Sequence, residues 1–265
     1  MLLDAWNSVR CPLVGMLHLP PLPGSPRSAL RLEAIRDQVL RDAAALVTGG
    51  MHGMMLENFG DVPFTAGRVS VDTAAAMKWL AREVRREHPQ VPLGINVLRN
   101  DGQSALAIAH AVGASFIRVN VLAGARLTDQ GIIQGIAHEL LRERRRLGAE
   151  AVKILADVAV KHSAPLAPQS LADEAADLVE RALADGLIVT GRATGQATAL
   201  EDLREVKVAA KGRPVFVGSG ITAENIVQAA GIAGGIIVGS WLKIDGRVEK
   251  PVDPARVRAL VAAAQ

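Results

Sequence analysis

Polar and titratable side chains recur near the ends of short apolar segments in this sequence. Burying such groups costs free energy unless they are paired or used in function, so their positions are informative. Arg118 and Asn120 lie two residues apart, which places both on one face of a strand. The substrate-binding candidates are Asn58, Asn96, Arg118, Asn120 and Thr190. Side chains of these types can hold the hydroxyl or carbonyl oxygens of a small molecule.

Carboxylate, amine and imidazole groups occur close together in the segment DVAVKHS (157–163). Such a pattern suits proton transfer or formation of a Schiff base, because the carboxylate orients the amine. The catalytic candidates are Glu57, Asp157, Lys161, His162 and His18. Glu57 and Asp157 are candidates for general acid–base catalysis, and Lys161 is a candidate electrophile or proton carrier.

Each of these candidates also has a structural explanation. Arg118 could form an ion pair with Glu57 or Asp157 that only stabilises the fold. His18 precedes a proline-rich loop, 20–29, and could serve only to hold that loop. The acidic residues and histidines could instead bind a divalent cation such as Mg²⁺, although the sequence has no HExxH-type spacing. The sequence leaves these alternatives open and identifies no certain cofactor or metal ligand.

Two apolar segments end in small residues, VFVGSGIT (215–222) and GIIVGSWLK (235–243). Glycine removes the side chain and lets backbone N–H groups approach a ligand, and the start of a following helix attracts an anion. Ser219 and Ser240 can each add a hydroxyl donor. The predicted phosphate-binding residues are Gly218, Ser219, Gly220, Gly239 and Ser240. The structural alternative is a pair of tight turns that bind nothing.

These residues must be positioned by a regular alternation of strands and helices. Eight apolar runs are each followed by an amphipathic segment, which predicts a single (β/α)₈ TIM barrel over residues 1–265. In this fold the carboxyl ends of the strands build the active site, and loops after the seventh and eighth strands frequently bind phosphate. The predicted strands are 13–19, 53–58, 92–98, 115–120, 152–158, 186–191, 214–220 and 234–240.

Glycines and loop lengths support this architecture. Glycines are expected to end helices at Gly49, Gly113, Gly148, Gly186 and Gly212. Only the connection after the first strand, 20–29, is expected to be long, and its prolines make it stiff. A last helix is expected near 253–264. An α/β sheet of another topology is the alternative.

Composition limits the classes of function. The chain has 265 residues, of which 49% are hydrophobic and 22% charged, as in globular proteins rather than disordered ones. Aromatic residues make up only 3%, so aliphatic side chains are expected to form the core. The net charge of +3 is spread over mixed acidic and basic residues, which argues against nucleic-acid binding.

The sequence also bears on location. Its single cysteine, Cys11, can form no intramolecular disulfide, which fits a reducing compartment, and we expect it to be a packing residue. The N-terminus lacks the charge and apolar pattern of a signal peptide. No apolar run approaches the length of about 20 residues that spans a bilayer. We therefore expect a cytoplasmic protein without a transmembrane segment.

Several stretches resemble the BtpA family. They are CPLVGMLHLPPLPGSP (11–26), LENFGDVPF (56–64), DVAVKHS (157–163), VFVGSGIT (215–222) and VDPARV (252–257). The matching positions are His18, Glu57, Asn58, Asp61, Asp157, Lys161, His162, Ser219 and Asn225. The resemblance implies a TIM barrel similar to ribulose-phosphate-binding enzymes. It also implies an association with photosystem I biogenesis and with the periphery of thylakoid membranes, and it brings no settled reaction.

Two functions follow as hypotheses. The first is an enzyme that acts on a phosphorylated sugar or another small molecule containing ribose phosphate, as an isomerase or aldolase-type lyase. The second is a non-enzymatic assembly or stability factor for a membrane complex such as photosystem I. The second would require peripheral membrane association, for which the segment 77–88 is the nearest candidate helix. A homo-oligomer is compatible with either hypothesis.

Overall fold

Eleven strands form in the computed structural model, which describes residues 1–191 and 199–264. In chain order they are β1 (Leu13–His18), β2 (Gly53–Glu57), β3 (Leu93–Asn96), β4 (Phe116–Val119), β5 (Ala125–Thr128), β6 (Gly131–Gln134), β7 (Lys153–Val158), β8 (Ser163–Pro165), β9 (Gly186–Thr190), β10 (Val215–Gly218) and β11 (Gly235–Val238). Eight of them pair in parallel and close into a barrel in the order β1-β2-β3-β4-β7-β9-β10-β11. All eight predicted strands are confirmed, and each lies within its predicted range.

A helix follows each barrel strand. The helices are α1 (Leu32–Thr48), α2 (Val71–Glu87), α3 (Gly102–Val112), α4 (Ala137–Arg146), α5 (Leu171–Glu180), α6 (Leu200–Ala209), α7 (Ile226–Ala230) and α8 (Pro254–Ala263). Short polar side chains accept hydrogen bonds from backbone N–H groups at the starts of α2, α3, α5 and α8, and so satisfy donors that lack a partner within the helix. The predicted (β/α)₈ barrel is confirmed.

Most glycines expected at helix ends lie at a helix C-cap or within two residues of one. They are Gly49, Gly113, Gly148 and Gly212. The prediction for Gly186 is wrong, because this residue is the first of β9. A Cβ at Gly186 would lie 2.8 Å from a Leu155 methyl carbon and 3.0 Å from the Pro214 carbonyl oxygen. Glycine is therefore needed there for close strand packing rather than for ending a helix.

Three aromatic rings fill the barrel interior near the amino ends of the strands. Trp6 lies with its ring centroid 5.9 Å from that of Phe116 and 6.0 Å from that of Phe216. A Cβ added to Gly94 or Gly235 would lie 2.2 Å from Phe116 or Phe216, respectively. The two glycines make room for the two phenylalanine rings. The expected aliphatic core holds for the layer between strands and helices, and in the barrel interior the three rings pack with Leu, Val, Met and Ile side chains.

The connection between β4 and α4, 120–136, carries the hairpin β5–β6, and β5 also pairs antiparallel with β8. The expectation that only the first connection is long is therefore wrong. Arg126 on β5 donates to Ser163 Oγ at 2.7 Å and lies 3.0 Å from the Glu174 carboxylate. The other oxygen of Glu174 accepts from the Ala159 N–H at 2.9 Å. This small sheet thus fixes the segment that joins β7 to β8.

Candidate functional site

Two adjoining cavities open at the carboxyl ends of the barrel strands. The first, the glycine cavity, has a volume of about 220 Å³ and includes Gly218, Ser219, Gly220, Gly239 and Ser240 in its wall. The second, the loop cavity, has a volume of about 420 Å³ and includes Phe64, Leu98, Arg99, Asn120, Asp129 and His162. Glu57, Phe59, Arg118 and Lys161 line both cavities. A ligand that extends from one cavity into the other must pass these four side chains.

Glu57, the last residue of β2, faces both cavities. The barrel register places it beside His18 on β1 and Asn96 on β3. Glu57 Oε1 lies 3.6 Å from His18 Nε2, and Glu57 Oε2 accepts a hydrogen bond from Asn96 Nδ2. The same Oε2 lies 4.0 Å from a guanidinium nitrogen of Arg118. A buried carboxylate that is held on three sides and open to the ligand space is well placed for proton transfer.

Asp157 is 1% exposed and lines neither cavity. Arg118 Nε lies 3.2 and 3.1 Å from the two oxygens of Asp157, and Arg118 Nη2 lies 3.0 Å from Oδ1. Asn120 Nδ2 donates to the second oxygen. This geometry favours the structural alternative, in which Arg118 forms an ion pair with Asp157. Asp157 thus positions two side chains that do face the cavities, and its predicted catalytic role stays a prediction.

His18 lies at the end of β1 with 9% of its side chain exposed. Burial lowers the pKa of His18 well below its usual value, and the positive charges of Lys243, Lys161 and Arg118 lower it further. The imidazole is therefore neutral at pH 7. Its buried Nδ1 has no hydrogen-bond partner within residues 1–191 and 199–264, and the residue lines the glycine cavity. The imidazole ring therefore forms part of the cavity wall and keeps one nitrogen without a partner in that part of the chain.

The depressed pKa of His18 predicts a loss of stability in acid. Below pH 6.5 the unfolded chain binds a proton at His18 that the folded protein does not, so the free energy of unfolding falls by up to about 1.4 kcal/mol per pH unit. Urea unfolding of the wild type and His18→Gln at pH 7, 6 and 5 measures this difference. We expect a shallower decline in the variant. Parallel declines would contradict the assignment, because His52 and His162 titrate in both proteins.

Lys161 and His162 follow β7 in the segment that the small sheet holds. Burial lowers the pKa of Lys161, and the nearby Arg118 charge lowers it further. Among the described residues, no carboxylate oxygen lies within 4.0 Å of the Lys161 amine. The lowered pKa increases the fraction of neutral amine, which is the form that accepts a proton or attacks a carbonyl. His162 is exposed and lines the loop cavity.

The predicted phosphate-binding residues all line the glycine cavity, with Thr190 beside them. Ser219 has φ 102° and Gly220 has φ 65°, so the backbone leaves β10 in a conformation that non-glycine residues rarely adopt. A Cβ added to Gly218 would come no closer than 3.4 Å to another atom. The buried Thr190 Oγ1 has no hydrogen-bond partner in the described part of the chain. The wall of this cavity therefore offers both space and an unused hydroxyl.

Gly239 also has a packing role, and its predicted contact with phosphate stays a prediction. A Cβ at Gly239 would lie 2.8 Å from His18 Cε1, so this glycine makes room for the imidazole. The contribution of helix ends is also smaller than expected, because α7 has only five residues and begins at Ile226. Asn225 fixes the preceding loop instead, by accepting from Thr222 N–H at 2.9 Å and donating to the Gly220 carbonyl at 2.8 Å.

Asn58 lies outside the walls of both cavities. Its Oδ1 accepts from the Leu98 N–H at 2.7 Å, and its Nδ2 donates to Asp61 at 3.2 Å. The other oxygen of Asp61 accepts from the Leu22 N–H at 2.8 Å. Asn58 and Asp61 thus join the loops after β1, β2 and β3. The structure places Asn58 in a supporting position, and its predicted contact with substrate stays a prediction.

Sequence reasoning missed Phe59, Phe64 and Arg99, which all line the loop cavity. Phe59 also stacks on His18, with ring centroids 4.9 Å apart. Arg99 stands three residues beyond Asn96, directly after an apolar run, and this position was a usable signal. Within residues 1–191 and 199–264, no three His, Cys, Asp or Glu side chains form a group that could hold a metal ion. Burial raises the pKa of the Cys11 thiol to about 11, which leaves it protonated at neutral pH.

Comparison with known sequences identifies close relatives. The sequence profile of the BtpA family matches residues 9–265. The photosystem I biogenesis protein BtpA of Synechocystis sp. is 49% identical over 252 residues, which cover 95% of this chain and 87% of the relative. The similarity therefore extends over nearly the whole chain and includes every strand of the barrel.

Comparison with solved structures identifies barrels of low sequence identity. The tryptophan synthase alpha subunit of Legionella pneumophila has a TM-score of 0.63 at 17% identity, and the match covers 99% of this chain and 96% of that one. Phosphoribosyl anthranilate isomerase of Thermus thermophilus has a TM-score of 0.57 at 14% identity, covering 95% and 97%. At these identities the likeness shows the fold alone.

Proposed function

The chain belongs to the BtpA family, and from that premise we propose that it is an enzyme acting on a phosphorylated small molecule, such as a sugar phosphate or a ribose phosphate derivative. The observation that carries the proposal is the position of Glu57 and Lys161. Both line the glycine cavity and the loop cavity, so they flank the place where the middle of a ligand would lie. The reaction class is an isomerase or an aldolase-type lyase.

The glycine cavity would hold the phosphate. Backbone N–H groups of the Gly218–Gly220 segment and the hydroxyls of Thr190 and Ser240 can donate to phosphate oxygens. Arg118 and Lys161 add positive charge at the inner end of the cavity. The neutral imidazole of His18 adds a polar wall to the cavity without adding charge. A dianion placed there would be surrounded by donors.

Glu57 would act as the general base. In an isomerisation it removes a proton from the carbon next to a carbonyl, and the electron pair moves onto the carbonyl oxygen. Lys161 and Arg118 stabilise the negative charge on that oxygen. The proton of the adjacent hydroxyl then passes to that oxygen, and return of the carbon-bound proton to the former carbonyl carbon completes the isomerisation. A lyase would use the same enolate, formed by breaking a carbon–carbon bond instead. The neutral fraction of Lys161 would allow a Schiff base in that case.

The name of one structural neighbour agrees with the proposed substrate class. Both the phosphoribosyl anthranilate isomerase and the tryptophan synthase alpha subunit share the barrel, and the first is named for a phosphoribosyl substrate. A phosphate at the ends of β10 and β11 would follow the general preference of this fold.

The alternative, an assembly factor for a membrane complex, rests on the name of the Synechocystis relative and on one surface feature. Leu127 and Ile132 lie opposite each other on β5 and β6 and are 51% and 56% exposed. Such a pair could contact a partner. The candidate membrane segment 77–88 overlaps α2. The apolar side of this helix is buried against the barrel, as at Leu80 and Val84. Among described residues, no helix is long and apolar enough to cross a membrane.

Thermal unfolding with inorganic phosphate, sugar phosphates and ribonucleotides, each with and without Mg²⁺, tests the proposal. A ligand at 100 times its dissociation constant should stabilise the protein by about 2.7 kcal/mol. Ser219→Asp adds a negative charge to the glycine cavity and should remove this shift, whereas Ser8→Asp, at an exposed site in the N-terminal segment, should retain it. If no phosphate compound shifts the wild type, the enzyme proposal fails and the assembly alternative is favoured.

A further inference from the structure

Arg99 has a buried guanidinium that the protein does not neutralise. Three arginines are buried among the described residues, at 5% exposure for Arg99, 5% for Arg118 and 7% for Arg126. Arg118 is paired with Asp157, and Arg126 with Glu174. In the same part of the chain, no carboxylate oxygen lies within 4.0 Å of Arg99. A buried charge without a counterion costs free energy, so its retention needs an explanation.

The guanidinium of Arg99 is held in place and faces ligand space. Its Nη2 donates to the Lys161 carbonyl at 2.7 Å, and this is the only hydrogen bond that the guanidinium makes within residues 1–191 and 199–264. The residue lines the loop cavity. An arginine side chain has five N–H donors in a planar fork, so most of them are available to a ligand. Burial lowers the pKa of Arg99, which agrees with a guanidinium that lacks a close partner.

The loop cavity has a cation, Arg99, that does not line the glycine cavity. Its buried or half-buried cations are Arg99, Arg118 and Lys161, whereas Glu57 is the buried carboxylate in its wall and Asp157 lies behind Arg118. Asp129 also lines the cavity, but it is exposed and farther than 4.0 Å from Arg99. Arg118 and Lys161 also line the glycine cavity, where the phosphate would bind, so Arg99 is the cation left for a further anionic group. One negative charge beside Arg99 would supply the counterion that it lacks.

The remainder of the loop cavity is apolar. Phe59, Val62, Phe64 and Leu98 form this part of its wall. A second phosphate would bring two negative charges next to these side chains, where it would be poorly solvated. A carboxylate brings one charge and matches the planar fork of Arg99 with two parallel hydrogen bonds. The apolar part of the wall can contact the carbon atoms of the ligand next to the carboxylate.

We propose that the substrate carries a carboxylate in addition to its phosphate, and that Arg99 binds this carboxylate in the loop cavity. The inference rests on the proposed function, because it takes the phosphate to occupy the glycine cavity. It narrows the substrate class to phosphorylated carboxylic acids. The carboxylate and phosphate lie on opposite sides of Glu57 and Lys161, so the reacting carbons are between them.

Matched pairs of ligands test this inference. Glucitol 6-phosphate and 6-phosphogluconate differ only in a terminal hydroxymethyl or carboxylate, and phenyl phosphate and 4-carboxyphenyl phosphate form a planar, apolar pair. Dissociation constants are measured by calorimetry with inorganic phosphate as the reference. We expect at least one carboxylate to bind tenfold or more tightly than its partner. Equal binding within both pairs would overturn the inference while leaving the phosphate site intact.

Variants assign the preference to Arg99. Arg99→Gln should abolish the preference for the carboxylate and leave binding of inorganic phosphate unchanged, and Arg99→Lys should retain part of the preference. Asp129→Asn, the matched control on the same cavity, should preserve or increase it. A preference that persists in Arg99→Gln, with circular dichroism like that of the wild type, would contradict the inference. Failure of inorganic phosphate and all four ligands to bind would contradict the proposed function itself.

Discussion

Asp157→Asn is expected to lower the free energy of unfolding by about 3–5 kcal/mol, because it leaves the Arg118 guanidinium buried without its counterion. Asp157 and Arg118 are 1% and 5% exposed, so water cannot replace the lost carboxylate. The amide of the new asparagine also brings a donor toward Asn120 Nδ2, which now donates to Asp157. Urea unfolding followed by circular dichroism at pH 7 measures the loss.

An exposed ion pair provides the control for this change. Arg145 and Glu150 lie 2.7 Å apart on the surface, and Glu150→Gln should cost less than about 1 kcal/mol because water screens the pair. A stable Asp157→Asn protein with no turnover would contradict the positioning role and restore Asp157 as a catalytic acid or base. A destabilised protein that still binds inorganic phosphate would support the positioning role of Asp157.

Glu57→Gln is expected to reduce turnover by about 10²–10⁴-fold, the usual contribution of a positioned general base. Glu57 is a negative charge in the wall of the glycine cavity, so its removal should leave the affinity for inorganic phosphate unchanged or raise it. The measurement is kcat on a phosphorylated substrate found by the binding assays, together with calorimetry on inorganic phosphate. The fall in kcat without a loss of phosphate affinity separates catalysis from binding.

Asp61→Asn is the matched control for Glu57→Gln. Asp61 lies four residues after Glu57, but it accepts from the Leu22 N–H and from Asn58 and lines neither of the two cavities. Its replacement should lower stability and leave kcat within tenfold of the wild-type value. If Glu57→Gln keeps kcat within tenfold, or if Asp61→Asn abolishes it, Glu57 is not the general base.

The barrel could be predicted from the sequence because its strands are short apolar runs separated by amphipathic helices. The polar residues at the strand ends indicated the position of the site, because few such groups are tolerated inside a barrel unless they are paired or used in function. The pairing of Arg118 could not be predicted. Glu57 and Asp157 lie on either side of it, and the choice depends on distances across the barrel, which are 4.0 Å and 3.0 Å.

Loop residues were the other limit of prediction. Arg99 follows β3 at a position that hydrophobic periodicity does not define. Its lack of an ion pair depends on the positions of the other loops around the cavity. Gly239 illustrates a related ambiguity, because a bare strand end can admit a ligand or a neighbouring side chain. Here the neighbour is His18, from a strand more than 200 residues earlier in the chain. Single-sequence patterns carry no information on such contacts.

The small sheet of β5, β6 and β8 has a consequence for how the site assembles. It buries little apolar surface, as the exposed Leu127 and Ile132 show, so we expect it to open at a lower free energy than the barrel. Lys161 and His162 lie between β7 and β8 and would leave with it, whereas Glu57 stays on the barrel. Lys161 and Glu57 thus belong to two parts of the protein that open independently and at different free energies. Amide hydrogen exchange should then show two opening events, one of the small sheet and one of the barrel. Substrate would enter when the small sheet opens, which is the faster event.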